Sequence, residues 1–130
     1  MVRSAILALL LMSSPVQAGF VLERTPTKAQ AADCAANYLA VGTLINTKVK
    51  LDTSLDAAAK QAMLSYARGF AERAASVLKV KTAAKIPKPI VKQAEMIYAP
   101  VRGGNQEAHG KLMGMIGTCD AAFKLAPIVG

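Results

Sequence analysis

Two cysteines in the whole chain, Cys34 and Cys119, restrict its fold more than any other feature of the sequence. If they pair, an early segment is pinned against a late one, and everything between them must fit inside one covalent loop. With two thiols only one intramolecular pairing exists. Whether it forms depends on compartment, because disulfides persist in oxidising spaces and are rare in the reducing cytosol.

The N-terminus points to an oxidising space. Arg3 supplies a positive start, Ala5 to Met12 form an apolar run, and Val16-Gln17-Ala18 place permissive residues ahead of Gly19. This is the pattern of a secretory signal peptide over residues 1–18, cut before Gly19. The competing reading is a membrane anchor. The run is far shorter than the roughly 20 apolar residues of a spanning helix, and Ser13, Ser14 and Pro15 interrupt it, so cleavage is favoured. No cysteine follows the cut to carry a lipid. Residues 19–130 are therefore expected as one exported, soluble helical domain, periplasmic or secreted. Removal of Arg3 lowers the formal net charge of +8 by only one, which leaves a basic product.

In that compartment a Cys34–Cys119 disulfide is the expected state, ahead of free buried thiols or intermolecular bonding. A loop this long stabilises by about 4 kcal/mol in the chain-entropy account. No C-x-x-C spacing is present to lower one thiol's pKa, so a catalytic dithiol is not supported.

Hydrophobic periodicity predicts helices throughout. Thr25-Pro26 reads as a helix start, and Cys34, Tyr38, Val41 and Ile45 share one stripe of a helix reaching about Lys48. Gly42 in that helix suggests close approach of a neighbour. After a connector at Lys50 to Asp52, Thr53 or Ser54 is the expected cap of a second helix with Asp56 in its first turn. Its stripe runs Leu55, Ala59, Met63, Tyr66, Phe70, Ala74 and Val77.

Pro87 and Pro89 forbid one continuous helix through the following segment. A third helix is expected from about Pro89 to Tyr98, with Ile90, Ala94 and Ile97 inward, stopping near Pro100. A turn over Val101 to Gly104 and a cap at Asn105 precede a fourth helix from Gln106 to about Leu125. Leu112, Ile116, Cys119 and Phe123 share its apolar side. The fold class is all-α, a small four-helix bundle-like domain with one disulfide that makes the first and fourth helices neighbours.

Chemistry-bearing patterns are sparse. His109 is the one histidine, beside Glu107 and Met113, with Met115 further on. A haem or metal reading would use its imidazole with thioether help. Against it, methionines at such spacings are usually core filler. No C-x-x-C-H sequence occurs, and the first helix has no methionine to face His109. No cofactor is the expectation, with a small haem- or metal-binding bundle as the alternative.

No G-x-S-x-G or H-E-x-x-H pattern is present, and Asp33, Asp52, Glu72, Glu95 and Asp120 read as solvating helix charges. Asp56 with Lys60, Glu107 with Lys111 and Asp120 with Lys124 have the spacing of ordinary surface pairs. An enzyme is the minority reading. Gly110, Gly114 and Gly117, in a segment too polar to span a membrane, suggest close packing along the fourth helix, ahead of the alternative that the helix loosens to expose Leu112, Met113, Met115 and Ile116 to a partner.

The best surface lead is a lysine group without an intervening acid: Lys79, Lys81, Lys85, Lys88 and Lys92. Such a patch favours anionic partners, phospholipid headgroups and acidic proteins among them, or it is simply a solvated connector. Export and the lack of aromatics within the group disfavour nucleic acid.

In overall design, a signal peptide followed by a helical pattern with Cys34 and Cys119 resembles the small acid-stress chaperones and the helical immunity proteins of the periplasm. The resemblance implies architecture and a binding role, and it transfers no functional residue. The basic charge departs from a chaperone whose acid switch needs many carboxylates. The functional expectation is a non-enzymatic exported protein that binds a macromolecular partner or an anionic envelope component.

Overall fold

The computed structural model describes residues 25–128. The expected signal peptide over 1–18, its cleavage before Gly19 and the lead-in Gly19 to Arg24 lie outside the described residues. Four helices follow in order: α1 (Lys28–Leu51), α2 (Ala57–Leu78), α3 (Lys88–Arg102) and α4 (Gln106–Ala122), with a short 3-10 turn (Ala83–Lys85) between α2 and α3.

Capping chemistry sets each boundary, and it corrects several expected ones. α1 starts after Thr27, not Thr25, because only Thr27 has Gln30 three residues on. Thr27 Oγ1 accepts from the Gln30 N–H at 3.1 Å and Gln30 Oε1 accepts from the Thr27 N–H at 2.8 Å, a complete capping box. α1 also runs a few residues past Lys48, to Leu51, where Lys48 Nζ reaches Asp52 at 3.3 Å.

α2 is capped by Asp56 itself, whose carboxylate accepts from the Ala59 N–H at 2.7 Å. Thr53 and Ser54 do not cap it. Ser54 instead donates its N–H and hydroxyl to Asp52, and no Asp56–Lys60 ion pair is found among the described residues.

Lys79 closes α2 with a left-handed φ of 60°, and the Val80 N–H returns to the Ala75 carbonyl at 3.0 Å. This is a Schellman closure built without glycine. The connector is then pinned by Ile86, which is buried. α3 carries Pro89 in its first turn and continues through Pro100 rather than stopping there. Pro100 falls in the last turn, where the helix forfeits a single bond, the one to the Met96 carbonyl. The Gly103 N–H closes on Ala99 and the Asn105 N–H on Pro100.

Asn105 caps α4 as expected, accepting from the Ala108 N–H at 3.0 Å. α4 ends at Ala122, earlier than Leu125, because Lys124 turns left-handed with φ 56° and the Leu125 N–H bonds back to Asp120.

α1 is the central helix. It packs against α2, α3 and α4, and α3 packs on α4, whereas α2 rests chiefly on α1 and the connector. The arrangement is bundle-like but open between α2 and α4. α1 and α2 approach closely at Gly42, where a Cβ would lie 3.1 Å from the Ala67 carbonyl oxygen and 3.6 Å from Phe70 Cβ. The expected close approach is real, and it is made by α2.

Small side chains dominate the core, with Ala35, Ala36, Ala40, Ala74, Ala75 and Ala94 around the fully buried Tyr38 and Leu112. Cys34 and Cys119 form the disulfide, both buried, with Cα atoms 5.6 Å apart. It ties α1 to α4.

The glycines of α4 do not serve close packing. A Cβ added at Gly110, Gly114 or Gly117 would meet no atom within 4 Å, so this face is turned outward, because the apolar side of α4 is set by Leu112 and Cys119. Tyr66, expected in the α2 stripe, is exposed as well. The first turns of α2 extend past the cover that the other helices provide. Among the described residues no helix is long and apolar enough to cross a membrane.

Candidate functional site: an apolar groove closed by a polar clamp

The opening between α2 and α4 is a groove of about 580 Å³. Its floor is α1, through Val41, Leu44 and Ile45. One wall is Met63 and Phe70 of α2, and the other is Met113 and Ile116 of α4. The groove exists because α1 carries apolar side chains around more than one face, while α2, drawn in at Gly42, meets α4 only through the polar contact at Asp120 and does not complete the apolar cover. A helix apolar on several sides must be covered on several sides. Here one side is left open.

The two ends of the groove differ. Along α4, His109 and Asp120 both line it, and the eleven residue steps from one to the other span ~16 Å at 1.5 Å per residue. At the His109 end lie Lys48 and Arg102, both exposed. Lys48 is paired with Asp52, and among the described residues Arg102 has no acidic partner.

At the other end Asp120 is only 8% exposed. Its Oδ1 accepts from the Tyr38 hydroxyl at 2.7 Å and from Arg73 Nη1 at 2.9 Å, and the same Arg73 nitrogen donates to the Ala126 carbonyl at 2.7 Å. Arg73 also lies 5.9 Å from the Tyr38 ring centroid, within cation–π reach. One carboxylate thus links α1, α2 and α4, and the arginine extends the link to the C-terminal segment. Pro127 and Ile128 of that segment line the groove. Asp120 is therefore no surface partner of Lys124, contrary to its spacing. Burial drives the Tyr38 pKa well above its ordinary value, with the hydrogen bond to Asp120 and that residue's charge adding to the effect. The phenol stays a donor.

Two further carboxylates, Asp33 and Asp52, also hold structural posts. Asp33 accepts from Gln93 Nε2 at 3.0 Å, joining α1 to α3. Asp52 is held below its usual carboxylate range by its Ser54 hydrogen bonds and by Lys48. Among the described residues no three histidine, cysteine or acidic side chains gather in one place.

The five lysines singled out in the sequence are all exposed. Lys79 is the α2 cap, Lys81 and Lys85 lie in the connector, Lys88 opens α3 and Lys92 follows one turn later. Lys79 and Lys81, with Arg68 and Glu72, line a second cavity of about 750 Å³. Gly42 of α1 faces Ala67 to Ala71 of α2 in an antiparallel pair, so Lys79 lies level with the first half of α1, at the far end from Lys48. Lysine group and groove are separate features.

His109 lies on the groove rim, and the structure brings Met63 of α2 into the same groove. A search for a methionine on the first helix misses this one. The groove itself was signalled by Leu44, which lies off the Cys34–Tyr38–Val41–Ile45 stripe and so requires cover from a further side. Comparisons with family models, curated proteins and solved structures find no match to this chain.

Proposed function

We propose that this is an exported, non-enzymatic binding protein of the periplasm or extracellular space, which engages an anionic envelope component or macromolecular partner. The observation that carries the reading is the groove, an apolar trough of about 580 Å³ with cationic side chains at one end. That volume lies within the roughly 300–1,000 Å³ of small-molecule sites, which are mostly apolar with a few polar groups for orientation. The polar cluster beside it is engaged internally, which suits a clamp rather than a reacting centre. Export rests on the N-terminal pattern together with a disulfide suited to an oxidising space.

The test compares the oxidised wild-type protein with two variants on immobilised anionic vesicles at two salt concentrations. Joint replacement of Lys81, Lys85, Lys88 and Lys92 by Gln should remove the salt-sensitive part of retention. Met113→Glu should remove the salt-resistant part. Retention unchanged in both variants would overturn the reading.

One observation favours a second reading, a haem-binding bundle: His109, Met63 and Met113 line one apolar groove. Imidazole and thioether are both axial ligands of haem iron. A visible absorption spectrum of protein purified from the exported fraction decides it. A stoichiometric Soret band would replace the first reading with the second.

A further inference from the structure

We infer that the groove takes a single-chain anionic amphiphile of the fatty-acid type, its alkyl chain lying along the groove and its carboxylate meeting Arg102 and Lys48. The inference rests on the binding reading above and names the ligand class.

Three features of the groove select that class. Its polarity is one-ended. The inner end is closed by Asp120, already neutralised by Arg73 and bonded by Tyr38, so it offers no free cation to a second headgroup. The outer end presents Arg102, without an acidic partner among the described residues, beside Lys48, whose charge is shared with Asp52, and a guanidinium binds a carboxylate through two parallel hydrogen bonds.

Size selects one chain over two. A methylene occupies on the order of 30 Å³, about the liquid share of one water. A groove of about 580 Å³ therefore matches one chain of a dozen or more carbons better than the paired long chains of a phospholipid. A partner helix is about 10 Å across and would sit on this trough instead of within it.

The lining suits a chain of variable conformation. Met63 and Met113 form facing parts of the two walls, and methionine fills irregular apolar space with little rotameric cost. Met113 is 42% exposed, so a ligand would cover apolar surface that faces water.

The test is calorimetric titration of the oxidised protein with octanoate, decanoate, dodecanoate and dodecyltrimethylammonium, each below its micellar concentration. One equivalent of dodecanoate should bind. Affinity should rise by up to about fourfold per added methylene, which corresponds to ~0.8 kcal/mol per buried CH₂. The cationic analogue should bind at least tenfold more weakly. Arg102→Gln should reduce the preference for the anionic head while leaving the chain-length dependence in place. Met113→Glu should abolish binding with an unchanged circular dichroism melting curve, and Met63→Glu, on the opposite wall, serves as a second wall variant.

Absence of dodecanoate binding, equal affinity for both head groups, or full binding by both wall variants would overturn the assignment. Saturable haemin uptake that dodecanoate cannot displace would also overturn it, in favour of the porphyrin reading. Loss of the fatty-acid assignment with vesicle retention intact through the connector lysines would leave the broader binding reading standing. Loss of both would remove that reading too.

Discussion

Replacing Gly110, Gly114 and Gly117 together by alanine should stabilise this protein, although a sequence reading of tight packing expects the reverse. Each residue is exposed, and at each the position of a new Cβ is clear to 4 Å of everything beyond the local helix backbone, so no tertiary steric penalty enters. What remains is backbone entropy, and glycine within a helix is about 0.8–1.0 kcal/mol less favourable than alanine. The three sites lie along one exposed face of α4, and non-interacting substitutions of this kind add to about 2–3 kcal/mol.

For a domain of this size about 1 kcal/mol shifts Tm by roughly 4–8 °C, so the triple variant should melt on the order of 10 °C higher. Urea unfolding of the oxidised protein, followed by circular dichroism, provides the check through a raised midpoint at unchanged slope. A lower midpoint would mean that the outward face of α4 is in fact covered, and the account of that helix would be wrong. The single variants locate any such contact.

The clamp at Asp120 yields further expectations. Arg73→Met leaves a buried carboxylate with Tyr38 as its remaining donor and should cost about 3 kcal/mol in urea unfolding, whereas the double variant Arg73→Met with Asp120→Leu should recover part of that loss; a double variant worse than the sum of its singles would refute the pairing. Tyr38 has a raised folded pKa, so its contribution is complete below about pH 10, the ordinary tyrosine value. It is lost as pH rises toward the folded value, at up to about 1.4 kcal/mol per pH unit, because only the unfolded chain releases the proton. Stability measured between pH 9 and 11 should therefore fall more steeply for wild type than for Tyr38→Phe, and equal slopes would sink this assignment. Replacing Cys34 and Cys119 together by Ser should cost about 4 kcal/mol, seen as a lower denaturant midpoint. In the wild type neither sulfur should react with an alkylating reagent until reductant is added.

Much of the fold was legible because it depends on local rules. The helical periods around Tyr38 and Phe70, the break at Pro87 and the Asn105 cap are dictated by side chains within a few residues of one another. Expected boundaries failed where two nearby groups compete. Thr27 displaced Thr25 because Gln30 completes its capping box, and Asp56 displaced Ser54 because Ser54 is engaged by Asp52.

The candidate site was far less legible. His109 and Met113 stand close together in the chain, but Met63, Lys48 and Arg102 come from separate helices. Their meeting depends on how far α2 leans from α4. Spacing also misassigned Asp120: the pairing pattern with Lys124 is correct on paper, yet the side chain faces the core, where Arg73 outcompetes a neighbour on the same helix.

From the chain alone came the helical content, the basic character and the adjacency of α1 and α4, since two cysteines allow a single intramolecular closure. Tertiary structure alone decided that α1 lies at the centre, that the α4 glycines face outward and that a trough remains between α2 and α4. The reason is physical. Periodicity states which side of a helix is apolar, but the distance at which another helix covers that side depends on the volumes of all the side chains between them.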